Sequence, residues 1–136
     1  MEIINKMRKD PETGVVTIEQ SEDSPNVILN PNKPEIILKG SSFPEDAVEF
    51  YSPVINWLNE NENNFNNTLV CEFNYSILSS ASNKMVFEIL LKLEKLKEKG
   101  KDIYVKWFYS GYDEDMYDEG RGFKDSMNLR FDLIEK

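Results

Sequence analysis

The stretch TLVCEFNYSILSSASNKMVFEILLKLEKL, residues 68–96, decides the fold. Its first ten residues alternate. Leu69, Cys71, Phe73, Tyr75 and Ile77 fall on one side, and Thr68, Glu72, Asn74 and Ser76 on the other. A period of two is that of a half-buried strand. The period then changes. Val86, Ile89, Leu90, Leu93 and Leu96 form a stripe with lysines and glutamates opposite, the pattern of an amphipathic helix. Gly100 is a stop signal, and the lysines before it suit the dipole at a helix carboxyl end. A strand leading into a helix implies a crossover unit, which is right-handed by rule.

The junction is unusual. Ser76, Ser79, Ser80 and Ser82 place four hydroxyls in seven residues. A single N-cap hydroxyl contributes about 1 kcal/mol, so capping accounts for one of them. Lys84 falls in the first turn, where a cation costs about 0.3–1 kcal/mol against the dipole. Both features fit an anion at the helix start, where free N–H groups and the dipole favour phosphate. Phosphorylation of a serine here would add about two negative charges beside Lys84. The competing reading is a polar turn with an exposed lysine.

On the amino-terminal side, GVVTIEQ (14–20), PNVILNP (25–31) and PEIILKG (34–40) read as strands of a meander, each bounded by turn formers. The first dozen residues are polar and are expected to be loosely ordered. In SSFPEDAVEFYSPVINWLNE (41–60), Ser42 and Glu45 read as a capping box. Ala47, Phe50, Tyr51, Val54, Trp57 and Leu58 follow at helical spacing, and Pro53 is expected to kink or divide the helix. NENENNFNN (59–67) is a loop.

On the carboxyl side, DIYVKWFYSG (102–111) reads as a central strand with bulky groups on both faces. YDEDMYDEGRGF (112–123) is a short helix or an ordered loop. MNLRFDLIE (127–135) alternates as a last strand. The expected fold is α/β: a mixed sheet of five or six strands, two main helices on one face and a possible short third helix. Residues 1–136 are expected to be one domain.

The composition narrows the function. The net charge is −9, from 25 acids against 16 bases, which disfavours phosphate backbones and anionic membranes as partners. There is no histidine, so the commonest general base and the commonest transition-metal ligand are missing. Cys71 is the one cysteine and reads as a core residue. No signal peptide or membrane span is visible, and the expected location is the cytoplasm.

Two other segments could carry function. Asp113, Glu114, Asp115, Asp118 and Glu119 could hold Mg²⁺ or Ca²⁺, although their spacing is not that of an EF-hand. A carboxylate enzyme would use Asp113, Asp115 and Glu119. The plainer reading is a solvated face or acids placed for the helix dipole. The aromatics from Tyr104 to Tyr117 are the second candidate. Trp107 and Tyr109 read as strand packing, whereas Tyr112, Asp113, Asp115, Met116 and Tyr117 form a candidate partner surface.

Four stretches resemble the SiaC-type regulatory phosphoproteins, bacterial domains akin in fold to anti-sigma-factor antagonists (the STAS fold). LKGSSFPEDAVEFYSPVINWL resembles the family's Gly-x-Ser-Tyr-Pro-Glu-Asn segment and the helix after it. LSSASNKMVFEILLKLEKL resembles its Asn-Thr-Ser-Ser-x-Lys turn and leucine-rich helix. GKDIYVKWFY resembles a Val-x-Val-x-Trp-x-Tyr strand, and DEDMYDEGRGF an acidic Asp-x-Asp-Met-x-Glu-x-Gly-Glu segment.

The resemblance implies a STAS-like fold and a non-catalytic signalling protein without cofactors. Its partners would be a Ser/Thr kinase, a PP2C-like phosphatase and a target, either a diguanylate cyclase or an anti-sigma factor. Aligned on Lys84, Ser80 falls on the phosphoacceptor threonine, Ser79 on its asparagine, and Ala81 and Ser82 on the two following serines. Ser80 is the expected acceptor, with Ser82 and Ser79 as the other candidates and Asn83 and Lys84 as neighbours. The unmodified form would bind the target. The added charge would prevent docking by repulsion and desolvation.

Overall fold

The computed structural model describes residues 7–136. Seven strands form one sheet in strictly sequential order: β1 (Met7–Lys9), β2 (Val16–Ile18), β3 (Asn26–Asn30), β4 (Glu35–Ser42), β5 (Leu69–Leu78), β6 (Ile103–Tyr109) and β7 (Arg130–Glu135). The pairs β1–β2, β2–β3 and β3–β4 are antiparallel, and β4–β5, β5–β6 and β6–β7 are parallel. Each parallel step is bridged by a helix: α1 (Ala47–Asn61), α2 (Ser80–Glu98) or α3 (Glu114–Ser126). Parallel strands need such a crossover, and crossovers of one hand that always step in the same direction must put their helices on one face.

The core lies between that face and the helices. Val27, Leu29, Ile36, Leu38, Leu69, Cys71, Phe73, Val105 and Trp107 are buried there. The helices add Tyr51, Val54, Leu58, Val86, Ile89, Leu90 and Leu93, all fully buried. The opposite face carries no helix among the described residues and is half-buried. Its polar groups satisfy one another: Lys106 pairs with Glu72 at 3.8 Å, Tyr104 donates to Asp132 at 2.6 Å, and Arg130 stacks on the Tyr104 ring at 3.9 Å. Cover on both faces of β6 is therefore not what the fold provides. Phe108 has no helix above it, and the mixed bulky pattern reflects a solvated second face.

Several expectations are corrected. The sheet has seven strands rather than five or six, because Met7–Lys9 pairs with Val16–Ile18. Residues 1–6 of the expected loose terminus lie outside the described residues. The cap of α1 is Asp46, whose carboxylate accepts from the Glu49 N–H at 3.0 Å, and not Ser42, which ends β4. The capping pattern recurs four residues on as Asp46–Glu49, and the later copy is the one used. Pro53 lies inside α1 and does not divide it. The acidic segment does form a third helix. It runs three residues past Phe123, to Ser126, giving thirteen residues of α3.

Gly120 holds α3 against the sheet. The Trp107 indole lies directly under it and donates to the Met116 carbonyl at 2.9 Å. A methyl group on Gly120 would overlap the ring. Gly120→Ala should cost about 1–3 kcal/mol by overpacking, read as a lower urea midpoint at unchanged slope. Gly122, where a methyl group meets open space, should tolerate the same change.

Candidate functional site

Parallel strands that all run one way start their helices at one edge. The caps Asp46, Ser79 and Asp113 follow β4, β5 and β6 respectively, so all three lie at the carboxyl ends of the parallel strands. The antiparallel half adds the end of β2 and the start of β1 to the same edge. Of six exposed large apolar residues among those described, five are at or beside this edge: Met7, Phe43, Val48, Ile77 and Tyr112. The sixth, Phe87, stacks on Phe123 at 6.5 Å. Crevices outside the carboxyl ends of strands are where open α/β sheets bind their partners.

The three serines at the start of α2 have different fates. Ser79 is the cap: its hydroxyl accepts from the Ser82 N–H at 3.1 Å, and its own N–H donates to the Ser42 carbonyl at 2.9 Å. Ser82 is fully buried and shares a 2.8 Å hydrogen bond with the Ser42 hydroxyl. Ser80 is exposed at the first helical position, next to exposed Ala81. Asn83 donates to Glu119 and so ties the start of α2 to α3. Lys84 is exposed, and the first turn of α2 contains no acid, unlike those of α1 and α3.

Beneath Ser80 lies a chain of four buried hydroxyls. It runs from Ser82 through Ser42 and Tyr51 (2.7 Å) to Tyr75 (2.9 Å). The chain joins α2, β4, α1 and β5, and no buried side-chain polar atom among the described residues lacks a partner. Such a network is costly if incomplete and fixes one geometry if complete. Burial raises the Tyr75 phenol well above its ordinary value of 10.0, and the neighbouring Tyr51 adds to this. Burial also raises Tyr51, against the lowering effect of its hydrogen bonds with Ser42 and Tyr75 and of the nearby Ser82 hydroxyl.

A groove of about 1070 Å³ opens beside Ser80, between the start of α1, the start of α2 and the β1–β2 edge. Sequence reasoning missed it, along with Ser42, Tyr51, Tyr75 and Val48. Val48 could have been found, because it is an apolar residue off the stripe of α1 and is 62% exposed. Ile77 belongs to the inward alternation of β5 yet is exposed. The register slips between Gly40 and Ser41, and the alternation breaks beyond Tyr75.

The acidic segment does local work. Asp113 caps α3 by accepting from the Met116 N–H at 3.0 Å, and Glu114 and Asp115 occupy its first turn. Among the described residues, no three His, Cys, Asp or Glu side chains gather as a metal site. Met116 leaves the candidate partner surface, since it is buried. Tyr117 packs edge-on against Tyr109 at 5.0 Å, while Tyr112 is 91% exposed. Cys71 is buried, and desolvation pushes its thiol up, as suits an inert core residue. No helix of the described residues is long and apolar enough to cross a membrane.

These features define a mixed α/β protein whose exposed apolar residues gather around the helix starts. The sequence model of the SiaC family regulatory phosphoproteins matches residues 18–136, and the chain belongs to that family. Two solved structures from Pseudomonas aeruginosa share the fold. Apo-SiaC superposes with a TM-score of 0.81 at 19% identity, covering 88% of this chain and 98% of that one. SiaC bound as activator to the diguanylate cyclase SiaD gives 0.83 at 20% identity, with the same coverage. An uncharacterised protein of P. aeruginosa strain UCBPP-PA14 is 23% identical over 94 residues, which cover 69% of this chain and 75% of that protein.

Ser42→Ala should cost about 1–3 kcal/mol, because it strands the Ser82 hydroxyl in the core and leaves Tyr51 with Tyr75 alone. Urea denaturation would measure this. The two phenols also set an alkaline limit. The folded chain holds them neutral above pH 10 while the unfolded chain ionises, so their contribution is full below pH 10 and falls as the pH rises above it. Tyr75→Phe should flatten that fall by one proton's worth, about 1.4 kcal/mol per pH unit.

Proposed function

We propose that this protein is a non-catalytic cytoplasmic switch whose state is set by phosphorylation of Ser80, the described residues acting as one regulatory domain. A Ser/Thr kinase adds the phosphate, and a PP2C-like phosphatase removes it. The unmodified form binds and activates a diguanylate cyclase, as the name of the P. aeruginosa complex states for SiaC.

One observation carries the choice of residue. Of the three hydroxyls at the start of α2, Ser79 is used as the cap and Ser82 is buried in the hydroxyl chain, which leaves Ser80 exposed and uncommitted to either task. The surroundings suit a phosphate. The first turn of α2 is free of acids, and Lys84 lies one turn on. The four-hydroxyl anchor beneath supports a fold that survives the modification. The added group, with about two charges, would then act on docking at the groove rather than on folding.

Ser80→Ala should abolish modification by the cognate kinase, read by phosphosite mapping. Ser80→Asp should weaken cyclase binding by about tenfold or more in calorimetry, a 1.4 kcal/mol change. A phosphate mapped to Ser79 or Ser82 with Ser80 unmodified refutes the assignment. Recovery of an anti-sigma factor in place of a cyclase, in a pull-down from the native host, refutes the target.

A further inference from the structure

The groove beside Ser80 has an apolar floor and an acidic rim. Met7, Ile18, Ala47, Phe50 and Met85 line it, and Val48 stands exposed at its side. Among the described residues, five carboxylates and one cation, Lys84, also line it. Two of the five are committed. Asp23 accepts the hydroxyls of Ser21 and Ser24 at 2.9 and 2.8 Å, and Asp46 caps α1. Glu45, Glu49 and Glu88 are exposed and face any occupant.

That arrangement selects its partner. A purely apolar segment laid on the floor would strip water from the three glutamates without replacing it, and a buried unpaired charge is expensive. An acidic segment would add like-charge repulsion. We propose that the groove takes an amphipathic helix of the target, with aliphatic side chains on the floor and flanking lysine or arginine on Glu45, Glu49 and Glu88. Apolar anchors in a groove with charged flanks are a recurrent mode of helix recognition.

The inference rests on the Ser80 reading only for how docking is controlled. Ser80 and Ala81 line the groove, so a phosphoryl group on Ser80 stands at its edge. A basic helix gains from added negative charge at long range. That gain is outweighed by the hydration that the apolar face of the helix would have to strip from a charge held at the groove's edge, so a carboxylate at position 80 weakens docking as well, and the bulkier phosphate weakens it further.

Three synthetic helical peptides test the groove directly on the full chain by amide chemical-shift mapping. One has leucines on one face and lysines on the other. The second has the same leucines with glutamates. The third keeps the lysines but has serines for leucines. The leucine–lysine peptide should shift Val48, Ala81 and Met85 and bind about tenfold or more tighter than either control, with the margin over the glutamate peptide shrinking at high salt. Val48→Asp, at an exposed site, should remove this binding, and the pair Glu45→Lys with Glu49→Lys should invert the preference between the leucine peptides. Equal binding of the lysine and glutamate peptides, shifts centred on α3, or indifference to Val48→Asp overturns the proposal. If the peptide results hold and Ser80→Asp leaves cyclase binding unchanged, the switch reading fails and the groove stands.

Discussion

The hand of the crossover connection governs this molecule. Each of three parallel steps moves one strand further along the sheet, and each returns through a helix. With one permitted hand, the three helices must share a face and begin at one edge. The other consequences follow from this. The face opposite stays half-solvated and meets its own polar needs through pairs such as Lys106 with Glu72. The three caps lie along one rim, where the exposed apolar residues also collect.

The rim needs rigidity, and the buried hydroxyls supply it. Ser82 and Ser42 join α2 to β4, and Tyr51 and Tyr75 extend the link to α1 and β5. Four polar groups in a core would be a liability if any were unpaired, but here each has a partner. The result is a fixed platform under one exposed hydroxyl. Under the proposed switch, a modification there would meet a structure unable to rearrange cheaply, and its effect would fall on what docks from outside.

Much was legible from periodicity. The switch from a two-residue to a helical period at Ser79–Ser82 placed β5 and α2, and the leucine stripe marked the buried face of α2. The acids at 113–115 belong to a helix start, as their dipole preference implied. Local pattern failed where two equivalent signals competed. Ser42–Glu45 and Asp46–Glu49 both spell a cap, and only the course of β4, which carries Ser42 into the core, separates them. A three-residue edge strand such as β1 has too few positions to show a period.

By itself the sequence determined the element types, the core stripes, the acidic charge and the crowding of hydroxyls at one helix start, because each is a property of near neighbours along the chain. Tertiary structure alone decided which hydroxyl is which. Ser79, Ser80 and Ser82 are chemically the same, and they differ only in what the fold brings against them: a backbone N–H, solvent, or a serine forty residues away. The groove likewise exists only because the starts of α1 and α2 and the edge of the sheet meet in space. Burial and long-range contact are decided by packing, and no local pattern contains them.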